Sequence, residues 1–265
     1  MLHTLIHSSK TMNAPTAPLA PLGEPQFFRE ATELATLWRA ASIDDIMQLM
    51  KISRSKAEEV ASLFHAWSTA PELQTPAIDT FRGDIYSGLQ AHTWSDEERT
   101  YAHAHLTILS GLYGTLQACD GVMPYRLEMG YKLPDTRTLY QFWGDSLTRG
   151  LPRSATHILN LSAVEYTKAI LPFTNLPTIT PKFLTVNSHT GAPTFVTVHT
   201  KIARGACANW VVKNRVSDPT RLPEFNALGY AHDAATSTPT EPVFVCQSFE
   251  GTGLSVRTSS SKHAA

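Results

Sequence analysis

The chain has 265 residues, 42% hydrophobic and 17% charged, with a formal net charge of −1. That length buries a substantial core, the composition is globular, and the near-neutral balance excludes a uniformly basic nucleic-acid-coating protein. The charge is nevertheless polarised along the chain. Residues 166–217 hold Lys168, Lys182, Lys201, Arg204, Lys213 and Arg215 and no acid.

In chain order, Leu2 to Ile6 read as a short buried strand. Pro15, Pro18, Pro21 and Pro25 then exclude helix and central strand, so an extended surface loop follows. Phe27, Ala31, Leu34, Ala35 and Trp38 form one apolar helical stripe. A helix is expected from Ser42 to Met50. A second begins at the capping-box spacing Ser55-Lys56-Ala57-Glu58, so that 42–66 read as a helical hairpin around Lys51-Ile52-Ser53-Arg54. Ser95-Asp96-Glu97-Glu98 is another capping box, with acids where the helix dipole favours them.

Beyond it, the pattern predicts a strand at Thr107–Ser110, a helix at Leu139–Leu147, a strand at His157–Leu161 and a short helix at Glu165–Ile170. Strands are expected at Phe183–Val186 and Thr194–His199, a helix at Lys201–Val216 and a last strand at Val243–Val245. Residues 251–265 are Ser/Thr-rich and read as a disordered tail. Helices and strands intersperse without a regular βαβ period, which predicts one mixed α+β domain over 1–250 with a central sheet and surrounding helices.

Cys119, Cys207 and Cys246 are odd in number and far apart, as expected of buried thiols in a cytoplasmic protein. No apolar run is long enough to cross a bilayer. His103 and His105 lie about 200° apart on a helix and cannot share a metal. There is no Walker loop, no GxGxxG and no GxSxG. The expectation is a monomer with no cofactor, no metal and no membrane partner.

Several windows concentrate chemical capability. Arg82, Asp84 and Tyr86 surround Gly83; Tyr125, Arg126 and Glu128 form a second group; Gln141, Trp143 and Asp145 a third; Asn160, Glu165 and Tyr166 a fourth. Guanidinium forks suit carboxylate or phosphate, and Tyr and Trp faces suit a base or ring. The same inventory also fits a buried polar network. Lys201 and Arg204, three apart at the start of a predicted helix, suit an anion. Lys10, just past the first strand, reads either as a plain surface lysine or as a charge clamp, or as a base or nucleophile if desolvated. Lys51, Arg54 and Lys56 on the hairpin could meet DNA phosphates, although the turn has no glycine.

FRGDIYSGLQ (81–90), LSGLYG (109–114), PYRLEMG (124–130) and LYQFWGD (139–145), with NLSAVEY, KIARG and FNALGY after them, resemble the YaaA family of peroxide-stress proteins. The resemblance implies a fold with a helix-hairpin-helix element and a positively charged cleft, binding to duplex DNA, and restriction of intracellular iron. It maps the family's polar cluster onto Lys10, Arg82, Asp84, Tyr86, Tyr125, Arg126, Glu128, Gln141, Trp143, Asp145, Glu165, Lys201 and Arg204. It brings no established reaction. The chain departs from the family at His7-Ser8-Ser9, Val164 and Ile202, each loss altering the cleft rim. Two readings follow: a DNA-binding stress protein, or an enzyme acting on an anionic, nucleotide-like molecule. In the second, Lys10, Glu128 and Glu165 are the catalytic groups.

Overall fold

The computed structural model describes residues 1–16 and 18–255. Its centre is a five-stranded sheet in the order Gly114–Gln117, Leu106–Ser110, Leu2–His7, His157–Asn160, Thr178–Ile179. Leu2–His7 lies in the middle, parallel to both neighbours, with Leu5 opposite Thr107 on one side and Asn160 on the other. Only the Gly114–Gln117 edge runs antiparallel. Helices cover the sheet, so its central strands are buried on both faces, the polar His3, Thr4 and Thr107 included. A second, four-stranded sheet is built from Lys182–Val186, Pro193–Thr194, Tyr230–His232 and Val243–Cys246. The architecture is the expected α+β.

Local signals place most helices. Ser42 and Ser95 each close a reciprocal capping box, with Asp45 and Glu98. Trp38 and Phe64 stack at 5.9 Å and tie the Phe28–Ala40 helix to Arg54–Ala66. The hairpin helices are Ile43–Met50 and Arg54–Ala66. Ser53, not Ser55, caps the second, accepting from the Lys56 N–H. The turn closes without glycine because Lys51 itself takes the left-handed conformation, at φ 53°.

Three expectations change. The Leu139 helix stops at Trp143, where Gly144 turns the chain with φ 51°, and a 3₁₀ turn covers Ser146–Gly150. The strand expected over Thr194–His199 is two residues long, Pro193–Thr194. The late helix starts at Thr197 and runs to Lys213. Lys201 and Arg204 therefore lie beyond its first turn, and the helix N-terminus supplies no anion site there.

Tertiary packing overrides the β-branched Thr197 and Val198. The long helix crosses the Asp84–Leu89 helix at two glycines. A Cβ on Gly88 would lie 2.0 Å from the Ile202 carbonyl oxygen, and one on Gly205 1.8 Å from that of Ile85. Backbone-to-backbone contact this close admits glycine alone. Past the last strand, Phe249 stacks on His199 at 3.9 Å, and the Ser255 N–H donates to Asp84 Oδ1 at 3.0 Å. Residues 251–255 of the expected tail thus fold back onto the body. Residues 256–265 lie outside the described residues. No helix among the described residues is long and apolar enough to cross a membrane.

Candidate functional site

The sheet topology marks a place for a ligand before any side chain is considered. From Leu2–His7 the chain crosses to the Leu106 side, whereas from His157–Asn160 it moves outward to Thr178–Ile179. The two neighbouring strands part company at their carboxyl ends, and such a switch point leaves a crevice. A cleft of about 530 Å³ opens there. His7, Ser8, Ser9 and Lys10 line it from the end of the first strand, and Ala163, Glu165 and Tyr166 from just past Asn160. Asp84, Glu128 and Lys201 complete the polar wall, with Leu254 and Ser255 at the returning C-terminal segment.

Lys10 Nζ pairs with Glu128 Oε2 at 2.9 Å, and Glu128 Oε1 accepts from the Tyr131 hydroxyl at 2.5 Å. Burial, with the Glu128 bond, pushes the Tyr131 phenol up to about 12. Glu165 Oε1 accepts from the Gly130 N–H at 2.9 Å, so both loops that carry acids are tied to one another. Tyr166 is buried, its oxygen accepting from Ser8 Oγ at 3.4 Å; burial lifts its phenol far above its ordinary value. Asp84, also buried, is held by the Ser255 N–H.

The cations are less compensated. Lys201 is exposed on the cleft and makes no ion pair among the described residues. Arg204, one turn further along the same helix, has its Nε buried without a partner among the described residues. Burial lowers its pKa. Arg126 has the same orphaned Nε and acts on Tyr131. Leaving such a donor unpaired costs about 1–3 kcal/mol. The six basic residues of 166–217 do not share one face in this way: Lys182 pairs with Glu241 at 2.7 Å, and Arg215 sits near Glu97 and Tyr101.

Other sequence candidates lie elsewhere or serve the fold. Arg82 lines a separate cavity of about 310 Å³ with His92, Trp94 and the Asp79–Arg99 ion pair. Tyr86 donates to the His7 carbonyl at 3.0 Å and Tyr125 bonds Ser110 Oγ at 2.6 Å. Gln141 closes a capping box with Thr138, and Trp143 donates to the Gly111 carbonyl at 3.1 Å. Asn160 Oδ1 accepts from the Ser162 N–H at 3.0 Å and its amide donates to Thr180. Asp145 is exposed and outside the cleft lining. On the hairpin, Arg54 pairs with Asp44 at 2.6 Å and Lys56 with Glu59 at 2.7 Å, while Lys51 is exposed in the turn.

The sequence reading missed His7 as a site group. Its Nδ1 accepts from the Ala163 N–H at 3.1 Å and its ring stacks on Tyr166 at 4.9 Å. Burial first, then Arg204 and Lys201, lowers its pKa to about 3.

Fold and site together describe an α+β protein with a polar cleft at the switch point of a largely parallel sheet. The chain belongs to the family of the peroxide stress protein YaaA, whose family model matches residues 2–236. It is 48% identical over 256 residues to a UPF0246 protein of Salinispora tropica, covering 96% of this chain and 97% of that one. A UPF0246 protein of Roseobacter denitrificans is 38% identical over 235 residues, 85% of this chain and 91% of that one. Another, of Ruegeria pomeroyi, is 39% identical over 232 residues, 84% and 90% respectively.

Proposed function

We propose that this family member binds a small anionic molecule in the switch-point cleft and acts on it. Lys201 and Arg204 offset the ligand's charge, and Lys10, Glu128 and Glu165 supply acid, base or nucleophile. The observation that carries this reading is the buried, partnerless Nε of Arg204 one turn from the unpaired Lys201. A fold that left the buried Arg204 Nε unanswered bears a desolvation cost that a bound carboxylate or phosphate removes, and the solvated Lys201 adds positive charge beside it. Crystals grown without oxyanions and soaked in phosphate test it. The expected result is an anion within hydrogen-bond distance of Arg204 and Lys201. An empty cleft at saturating phosphate overturns the reading.

A second reading follows from the family and from the hairpin: binding of duplex DNA, with limitation of intracellular iron as its cellular consequence. Lys51 projects from a left-handed turn directly before the helix that carries Arg54 and Lys56. Against it, residues 42–66 hold four acids to three bases, and two of those bases are already paired. A salt series of duplex affinity decides the matter. Phosphate contacts give a steep fall with salt that becomes shallower when Lys51, Arg54 and Lys56 are neutralised. An unchanged slope removes the hairpin from the account.

A further inference from the structure

We propose that His7 is the neutral hydrogen-bond donor of the cleft, presenting Nε2–H to an anionic oxygen, carboxylate or phosphate, of the ligand whose charge Lys201 and Arg204 offset. This rests on the small-anion reading above and adds how the ligand is oriented.

The argument begins with the Ala163 N–H. A backbone amide can only donate, so the ring nitrogen facing it at 3.1 Å is a lone pair. A neutral imidazole with Nδ1 unprotonated carries its proton on Nε2. His7 lines the cleft, and no group among the described residues accepts from Nε2. The donor's one free direction is the ligand space.

The ring is fixed as well as protonated at a known atom. It stacks on Tyr166 with an interplanar angle of 26°. The backbone beneath it is held by the Tyr86 hydroxyl and by the parallel ladder, in which His7 lies opposite Leu109. Donors held in this way lose little freedom when a ligand arrives.

The surrounding charges keep the ring neutral. Lys201 lines the cleft beside it, and Arg204, outside that lining on the same helix, is close enough to act on it by charge; Tyr86 packs from the Asp84–Leu89 helix, and Glu165 and Tyr166 from the turn after Asn160. Lys10, Asp84 and Glu128 line the rest of the cleft. The two helix cations and burial oppose a third positive charge. Recognition is therefore divided. Lys201 and Arg204 answer charge, and His7 answers the position of one oxygen. An ammonium group, which can only donate, would meet the wrong partner.

Nitrogen-15 NMR of the full chain tests this. The expected result is an unprotonated Nδ1, a protonated Nε2 and no titration midpoint between pH 5 and 8. Adding inorganic phosphate or, in a separate arm, acetate moves the Nε2–H resonance downfield. The arm that responds at lower concentration identifies the oxygen's source. His7→Gln, which keeps an N–H donor near the Nε2 position, holds the affinity for that probe within about threefold. His7→Leu weakens it about tenfold, the loss of one well-made hydrogen bond. A midpoint near the ordinary histidine value, the opposite tautomer, or unchanged affinity in His7→Leu overturns the proposal. If phosphate binds the wild type and Lys201→Met weakens it while Nε2 stays silent, the anion cleft stands and the role of His7 falls. If neither probe binds the wild type, both fall.

Discussion

Lys10 Nζ lies 2.9 Å from Glu128 Oε2, joining the chain just past the central strand to the loop on the opposite lip of the cleft. Lys10 is 58% exposed, so the pair contributes under about 1 kcal/mol to folding. Its importance is electrostatic: it cancels a carboxylate that would otherwise repel an incoming anion. Lys10→Met should lower the melting temperature by less than about 3 °C. It should weaken phosphate binding about five- to tenfold at low salt. Adding Glu128→Gln to the same chain should restore most of the affinity, because the bare carboxylate is gone. Calorimetric titration of the two variants measures this coupling, and additive losses would contradict it.

Gly205 holds the cations in place. Its missing Cβ lets the long helix approach Ile85 until the backbones touch, and Lys201 and Arg204 ride on that helix. Gly205→Ala must push the two helices apart. The expected cost is about 2 kcal/mol or more in urea denaturation, with weaker anion binding in the material that still folds. Stability within about 0.5 kcal/mol of wild type would show that the crossing is looser than the geometry requires.

Acid stability has opposing sources. Burial lowers the pKa of His3 to about 4 and that of His7 to about 3, from an ordinary 6.5. As pH falls below about 6.5 the unfolded chain binds protons at both, the folded chain does not, and stability is lost. Asp120 works the other way. Burial raises its carboxyl from 3.8 to about 7, so the folded state keeps a proton that the unfolded state has released. Its contribution is complete below pH 3.8 and lost as pH rises through 7. Asp120→Asn removes this counterweight. Between pH 7 and 4.5 the variant should lose more stability than wild type, at up to about 1.4 kcal/mol per pH unit. Parallel pH profiles for the two proteins would contradict it.

Lys51 adopts a left-handed backbone at φ 53°, where a Cβ is costly. Lys51→Gly should raise stability by up to about 1 kcal/mol in chemical denaturation, despite the greater entropy of glycine in the unfolded chain. Destabilisation would mean that the lysine stem makes packing contacts worth more than the strain.

What could be read from sequence follows the range of the interaction that fixes it. The Ser42 and Ser95 caps and the Leu2–Ile6 strand are set by residues within one turn or one strand, and each stands where expected. The Ser53 cap was hidden because the preceding turn contains no glycine to announce it. The Thr197 start was hidden because two glycines 117 residues apart, Gly88 and Gly205, hold that segment as helix against its β-branched side chains. The polar windows gave the site's inventory but not its direction. Lys10, Asp84, Glu128, Glu165, Tyr166 and Lys201 converge on one cleft, whereas Gln141, Trp143, Tyr125 and Asn160 bond within the fold. His7 ends an apolar strand and has the look of a core residue until strand order places it at the switch point.

The central claim is that Lys201 and Arg204 hold an anion at the carboxyl ends of the Leu2–His7 and His157–Asn160 strands. Its most direct measurement is isothermal titration of the full chain with AMP and inorganic phosphate, repeated with Lys201→Met/Arg204→Met. The account predicts saturable one-site binding to the wild type, suppressed by salt and lost at least a hundredfold in the double variant, which still unfolds cooperatively. Equal affinity in both proteins, or no heat with either anion at low salt, would contradict it.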